Sequence, residues 1–230
     1  MKLRCVAMLA AWLLWGISAW SGPILYSSFD ASTEGWSITS PQIPGGGGTP
    51  LAQVGSGGVG GSGFVWTEDT ANGRLWFVAP GAWTGDYYQG SLSFYLMNPN
   101  PNVLSAEPRV RISGGGQTVY YFGGSAPGAS WVFDAVPLQG GPGWYVTPQS
   151  WIVPFVPATP AEVQTVMSGI TSIWINADWV SRYFGHPSGD YGHDITSLDE
   201  VRLTPIPEPA SYLLAAAGLL LLVLRRRVAA

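Results

Sequence analysis

Between residues 22 and 204, glycine, proline, serine and asparagine recur so closely that only short extended segments fit between the breaks. Those segments alternate in polarity or are rich in aromatic and β-branched residues, which is the pattern of strands. They fall at residues 24–29, 36–39, 64–67, 75–78, 92–97, 110–113, 118–122, 131–136, 170–177 and 200–203. Many short strands separated by turn residues predict an all-β sandwich or barrel. One short helix interrupts them. Thr159-Pro160-Ala161-Glu162 has a capping residue, proline at the first helical position and a glutamate three residues after the cap, and Gly169 ends the segment. This helix is expected to cover an end or edge of the sandwich. Residues 45–63 are glycine-rich and formally match G-x-G-x-x-G at Gly55-Ser56-Gly57-Gly58-Val59-Gly60. An extended aromatic run follows them instead of a helix N-terminus, so they are expected to form a flexible loop, not a dinucleotide site.

Charge and missing residue types exclude whole classes of chemistry. Residues 22–204 hold five arginines, no lysine and thirteen acids, a formal charge of −8. A phosphate backbone is repelled by such a domain, so nucleic acid is excluded as a partner. Without lysine there is no Schiff base and no phosphate-loop lysine. Cys5 is the only cysteine and lies in the leader, which rules out disulfides, thiolate metal sites and a cysteine nucleophile in the domain.

Both ends are hydrophobic. Lys2 and Arg4 precede an uncharged apolar run at residues 5–17, and Ala19-Trp20-Ser21 offers a cleavage site, with Ile17-Ser18-Ala19 as the alternative. Residues 1–21 therefore read as a helical secretory signal peptide, removed by signal peptidase. At the other end Pro207-Glu208-Pro209 breaks the chain, residues 212–224 form an apolar run, and Arg225, Arg226 and Arg227 form a membrane stop. A helix of that run spans about 20 Å at ~1.5 Å per residue, short of the ~30 Å hydrocarbon core. It is a brief hydrophobic helix that holds the chain in the inner membrane only provisionally, with the domain outside. This order of parts resembles the PEP-CTERM sorting signal of Gram-negative envelope proteins. The resemblance implies an exosortase as partner, with Pro207, Glu208 and Pro209 as the recognition residues. It further implies an exported product, transiently anchored in the inner membrane and then placed at the outer surface or in the extracellular matrix. The organisation is a signal peptide (1–21), a domain (22–204) and a sorting segment (205–230).

The domain carries a second resemblance. Ala79-Pro80, Trp83, Gly85-Asp86, Tyr88, Gly90, Leu92 and Phe94 come first. They are followed by Trp131, Val136-Pro137-Leu138, Gly143-Trp144, the helix and the run Leu198-Asp199-Glu200-Val201-Arg202-Leu203. In this order they resemble laminin B (laminin domain IV) modules. The resemblance implies a jelly-roll β-sandwich, akin to galactose-binding and carbohydrate-binding modules, with no catalytic residues to carry across.

Candidate sites follow from residue chemistry. Aromatics in polar loops, namely Trp83, Tyr87, Tyr88, Trp179, Tyr183 and Phe184, are the candidates for stacking on sugar rings. Tryptophans inside the strands are expected to be core. Asp30, Asp199 and Glu200 sit where first and last strands meet and are the candidate ligands of a structural Ca²⁺; the alternative is that the last two guard a strand edge. His186 and His193 share a polar loop that reads as solvated. No G-x-S-x-G or H-E-x-x-H occurs, and sequence spacing does not select a carboxylate pair. The expected function is a non-enzymatic, exported protein that binds or organises exopolysaccharide. A glycoside hydrolase with an unrecognised carboxylate pair, or a protein-binding adhesin, is the alternative.

Overall fold

The computed structural model describes residues 23–41, 48–70, 74–101, 103, 107–146, 156–180 and 194–206. The leader, the sorting residues Pro207, Glu208 and Pro209, the basic Arg225, Arg226 and Arg227, and the apolar run between them lie outside the described residues. Among the described residues no helix is long and apolar enough to cross a membrane.

Residues Gly22–Pro205 form one compact unit. Its elements run β1 (Leu25–Ser27), β2 (Ser37–Thr39), β3 (Ala52–Val54), β4 (Phe64–Asp69), β5 (Trp76–Val78), β6 (Ser91–Met97), β7 (Val110–Gly114) and β8 (Gln117–Tyr121). Then come β9 (Val132–Pro137), β10 (Trp144–Val146), β11 (Val156–Pro157), α1 (Pro160–Met167), β12 (Ile170–Asn176) and β13 (Asp194–Thr204). All strand pairings are antiparallel. The first sheet has the order β3-β4-β13-β6-β9 with β1 also on β13, and the second has the order β11-β10-β8-β7-β12-β5-β2. The chain changes sheets at every connection except β3 to β4, β7 to β8, β10 to β11 and β11 to β12. The central fours, β4-β13-β6-β9 and β5-β12-β7-β8, are those of a jelly roll. The fold is a sandwich, not a barrel.

Between the sheets lie Phe77, Leu92, Phe94, Ile112, Val119, Ile173, Ile175, Val201 and Leu203, all fully buried. Strand alternation puts them there: β4 and β6 switch between buried and half-buried at every residue. The block carrying the laminin resemblance is the crossing from β5 to β6 over one end of this core. Gly85, at φ +131, exchanges backbone hydrogen bonds with Ile170 at 3.0 and 2.8 Å, and the Asp86 carboxylate accepts from Tyr88 N–H at 3.0 Å. The crossing drops Trp83 edge-on against Trp36, ring centroids 5.3 Å apart.

Helix α1 starts as its sequence dictates. The Thr159 hydroxyl accepts from Glu162 N–H at 3.3 Å, and the Glu162 carboxylate accepts from Thr159 N–H at 2.7 Å. Val163, Val166 and Met167 are its buried face, set against β7 and β8. Backbone of its C-terminal turn passes so close to Gly114 that any side chain there would meet the carbonyl oxygens of Val166 and Gly169.

The glycine-rich stretch departs from expectation. In place of a featureless flexible loop it holds β3, paired with β4, and a 3₁₀ turn at Val59–Gly61. Gln53 ties β3 to the Phe29 carbonyl at 2.7 Å, and Gly60 and Gly61 supply left-handed backbone at φ 66° and 90°.

Candidate functional site

The outer face of the second sheet carries an ordered row of aromatic side chains around one cation. In β5, β7, β8, β10 and β12 the inward positions are Phe77, Ile112, Val119, Trp144, Ile173 and Ile175, all in the core. The alternate positions point away from it. Cross-strand register then sets Tyr145 beside Tyr120, Tyr120 beside Arg111, Arg111 beside Trp174 and Trp174 beside Val78. At ~4.8 Å between strands, the row from Tyr145 to Trp174 spans about 14 Å.

Arg111 is held on two sides. Its guanidinium carbon lies 3.8 Å from the centroid of the Trp174 ring, and its Nε donates to the Tyr120 hydroxyl at 3.2 Å. Trp76, on the same side of the sheet and fully buried, lies 6.3 Å from Trp174 and 6.5 Å from Tyr120 by ring centroids. Its indole N–H has no hydrogen-bond acceptor among the described residues. Phe122 meets Tyr145 edge-on at 5.2 Å. Trp174, Arg111 and Tyr145 are half-buried, whereas Tyr120 is buried.

The loop aromatics expected to stack on sugars are placed otherwise. Trp83, Tyr87 and Trp179 are buried in the core. Trp83 and Tyr87 belong to the crossing that closes the sandwich end, and the Tyr87 hydroxyl donates to the Pro23 carbonyl at 2.8 Å. Burial raises the Tyr87 pKa. Trp179 donates its indole N–H to Asn176 O at 3.2 Å, and its ring receives the Arg109 guanidinium at 4.5 Å. Tyr88 is half-buried against the core, and Tyr183 and Phe184 lie outside the described residues. Trp76 is fully buried as expected, whereas Trp174, expected as core, is half-buried on the outer face. Tyr120, Tyr145 and Arg111 were not selected by sequence reasoning. The signal that finds them is strand parity combined with register.

Asp30, Asp199 and Glu200 lie near the glycine turn but do not converge. Asp199 Oδ2 accepts from Val59 N–H at 2.7 Å and from the Ser62 hydroxyl at 2.8 Å, while Oδ1 accepts from Glu200 N–H at 2.7 Å. Asp30 Oδ1 accepts from Gly63 N–H at 2.9 Å. Burial is the main cause raising the Asp199 pKa, opposed by those hydrogen bonds. Glu200, at φ 49° in a bulge of β13, turns to Tyr26, whose hydroxyl pKa is raised by burial and then by Glu200. Donors already face the Asp199 oxygens, so these residues do not fit a cation. Asp199 pins the glycine turn to the last strand, and Asp30 ties Gly63 to the segment after β1.

Among the described residues the group of carboxylates that does converge is Asp69, Asp178 and Asp194, within 4.8 Å of one another. Asp194 is fully engaged. Its Oδ1 accepts from Asn98 Nδ2 at 2.6 Å, and its Oδ2 accepts from the N–H groups of Trp179 at 2.9 Å and Val180 at 3.1 Å. Asp178 has its pKa pushed up to about 8 by burial, with Asp69, Asp194 and Glu107 adding to the rise and Arg74 opposing it. His186 and His193 lie outside the described residues.

Residues 205–227 match the PEP-CTERM protein-sorting motif. No curated protein matches the chain. The chain is similar in structure to the L4b domain of human laminin α-2, at 10% identity and TM-score 0.56, over 80% of this chain and 98% of that one. It is less similar to a family 11 carbohydrate-binding module from Clostridium thermocellum in complex with a β-1,3-1,4-mixed-linked tetrasaccharide. There the identity is 16% and the TM-score 0.48, over 83% of this chain and 99% of the module. The adhesin domain K1 of Lys-gingipain from Porphyromonas gingivalis follows at 12% identity and TM-score 0.41, over 81% of this chain and 100% of that one. The laminin likeness is one of fold alone. The chain thus joins a laminin L4-like jelly roll to a PEP-CTERM protein-sorting motif with its C-terminal membrane-anchor signal, the mark of an exported protein.

Proposed function

We propose that this exported protein is a non-catalytic polysaccharide-binding protein. Signal peptidase removes residues 1–21, an exosortase acts at Pro207-Glu208-Pro209, and the domain comes to rest at the cell surface or in the extracellular matrix. The observation that carries the binding reading is the in-register row Tyr145, Tyr120, Arg111 and Trp174 on the outer face of the second sheet. The C–H faces of sugar rings pack on aromatic rings, while guanidinium and phenol groups hydrogen-bond the hydroxyls at the ring edge. Tyr145, Arg111 and Trp174 are the half-buried members of this row and the buried Tyr120 braces Arg111, so a polymer laid across the strands meets three positions about 14 Å from end to end. No strand of this sheet carries an aspartate or glutamate. Glycoside hydrolysis uses a pair of them across the scissile bond, so binding without turnover is the reading the face favours.

The test is affinity electrophoresis of the full-length chain in detergent, through gels holding a panel of bacterial exopolysaccharides, with reducing-sugar release measured in parallel. Retardation without release is expected, and Trp174→Ala should weaken it at least tenfold, about 1.4 kcal/mol. Absence of retardation in every gel overturns the proposal. So does sugar release that a single carboxylate substitution abolishes.

A further inference from the structure

Resting on that reading of the face, we infer that its ligand is an acidic polysaccharide, a polymer whose sugars carry carboxylates, with one carboxylate bound by Arg111.

The charges of this sandwich are divided by sheet. Strands of the first sheet carry Glu68, Asp69, Asp134, Asp194, Asp199 and Glu200 against Arg202. Those of the second carry one charged side chain, Arg111. The strands of the second sheet therefore set no acid beside Arg111 on its outer face. A domain that repels polyanions on one side thus offers them a cation on the other.

Arg111, like Arg202 over the Tyr26 ring on the first sheet, has no carboxylate partner among the described residues. Arg74 bridges Glu107 at 2.9 Å, and Arg109 lies 3.8 Å from Asp134. No carboxylate among the described residues reaches Arg111 within 4.0 Å. Trp174 fixes the plane of its guanidinium and Tyr120 takes its Nε–H, which leaves the two terminal amino groups as a fork. That fork matches the two oxygens of a carboxylate, a pairing stronger than a hydrogen bond between neutral groups. A neutral sugar laid over the same site offers hydroxyl acceptors that compensate the desolvated cation less fully than a carboxylate does. The neighbouring strand position is ~4.8 Å away, close to the reach from a sugar ring to its exocyclic carboxylate. A ring at Trp174, the half-buried neighbour of Arg111, can therefore place its carboxylate at Arg111.

The experiment compares matched polymers. Full-length chain in detergent is titrated with polygalacturonate, alginate and hyaluronate, each beside its carboxyl-reduced counterpart, and with dextran sulfate as an anion lacking carboxylates. The expected result is at least tenfold tighter binding of one or more uronate polymers than of its reduced form, with dextran sulfate weaker than that polymer. Arg111→Gln should erase the preference by weakening binding of the uronate polymer far more than that of its reduced form, and Arg111→Lys should retain part of the preference. Near-UV circular dichroism confirms that each variant is folded. Equal binding of every acidic polymer and its reduced form overturns the inference and leaves the polysaccharide face standing, as does an equal response to dextran sulfate. Binding of no polymer at all, charged or neutral, overturns both. The wild-type comparison decides the matter even if Arg111→Gln does not fold.

Discussion

Asp178→Asn should stabilise the folded protein at neutral and alkaline pH. The carboxyl lies against Asp69 from β4 and Asp194 from β13, with Glu107 and Arg74 nearby, and its pKa is pushed up to about 8 from an ordinary value of 3.8. The unfolded chain therefore releases this proton at much lower pH than the folded one. Its contribution favours folding most below pH 4 and is lost as pH rises towards 8, because the unfolded state then gains by ionising. Roughly four pH units at 1.36 kcal/mol each make the loss about 5–6 kcal/mol above pH 8, and about 4 kcal/mol at pH 7. Asparagine keeps the volume and cannot ionise. Its stability curve should coincide with that of the wild type below pH 4 and diverge upward beyond it. For a domain of this size the gain corresponds to a Tm difference of the order of 10 °C at pH 8. The assay is thermal unfolding of the full-length chain from pH 3.5 to 9 in EDTA, so that no cation neutralises the three carboxylates. Parallel curves across that range, or a variant less stable at pH 8, would refute the reasoning.

Three further predictions concern the packing and the tail. Asp134→Ala leaves the Arg109 guanidinium buried against Trp179 without its counter-charge and should cost roughly 3–5 kcal/mol in urea unfolding. Adding Arg109→Met should recover part of that loss, and an additive double variant would show that the two do not interact. Gly114→Ala drives a methyl group into the backbone of the α1 terminus and should cost about 1–3 kcal/mol, whereas Gly128→Ala, which meets nothing within 4 Å, should change stability by less than ~0.5 kcal/mol. Pro209→Ala should leave the jelly roll folded but hold the product at the inner membrane; unaltered distribution on cell fractionation would count against the recognition role.

Strand positions, the capped helix and the sorting motif were legible in the sequence because each is written in local chemistry. The ends of β4 and β7 fall within two residues of the expected runs, and the Thr159–Glu162 box forms as its spacing requires. The strands β3, β10 and β11 were not legible, being two or three residues long and dependent on longer neighbours. Trp83 and Tyr87 misled because glycine and aspartate around them look like a solvated loop. Those polar residues in fact make the turns by which the chain crosses the sandwich end, and the crossing drives the aromatics inward.

The candidate site divides along the same line. Gly115 and Gly116, at φ 55° and 74°, form a two-residue turn that fixes the β7–β8 register. Counting back from Gly114 opposite Gln117 puts Arg111 opposite Tyr120, so half of the site could be read from twelve consecutive residues. Trp174 joins them from β12, some sixty positions along the chain, after a helix and two sheet changes. Its parity is visible in Ile173-Trp174-Ile175, yet nothing local says which strand it faces. The cation and its phenol are set by a hairpin, and the ring that makes them a platform is set by the jelly roll. A lesion confined to the β12 register should therefore abolish polymer binding while Arg111 and Tyr120 stay paired, and insertion of one residue before Ile173 with retained folding separates the two contributions.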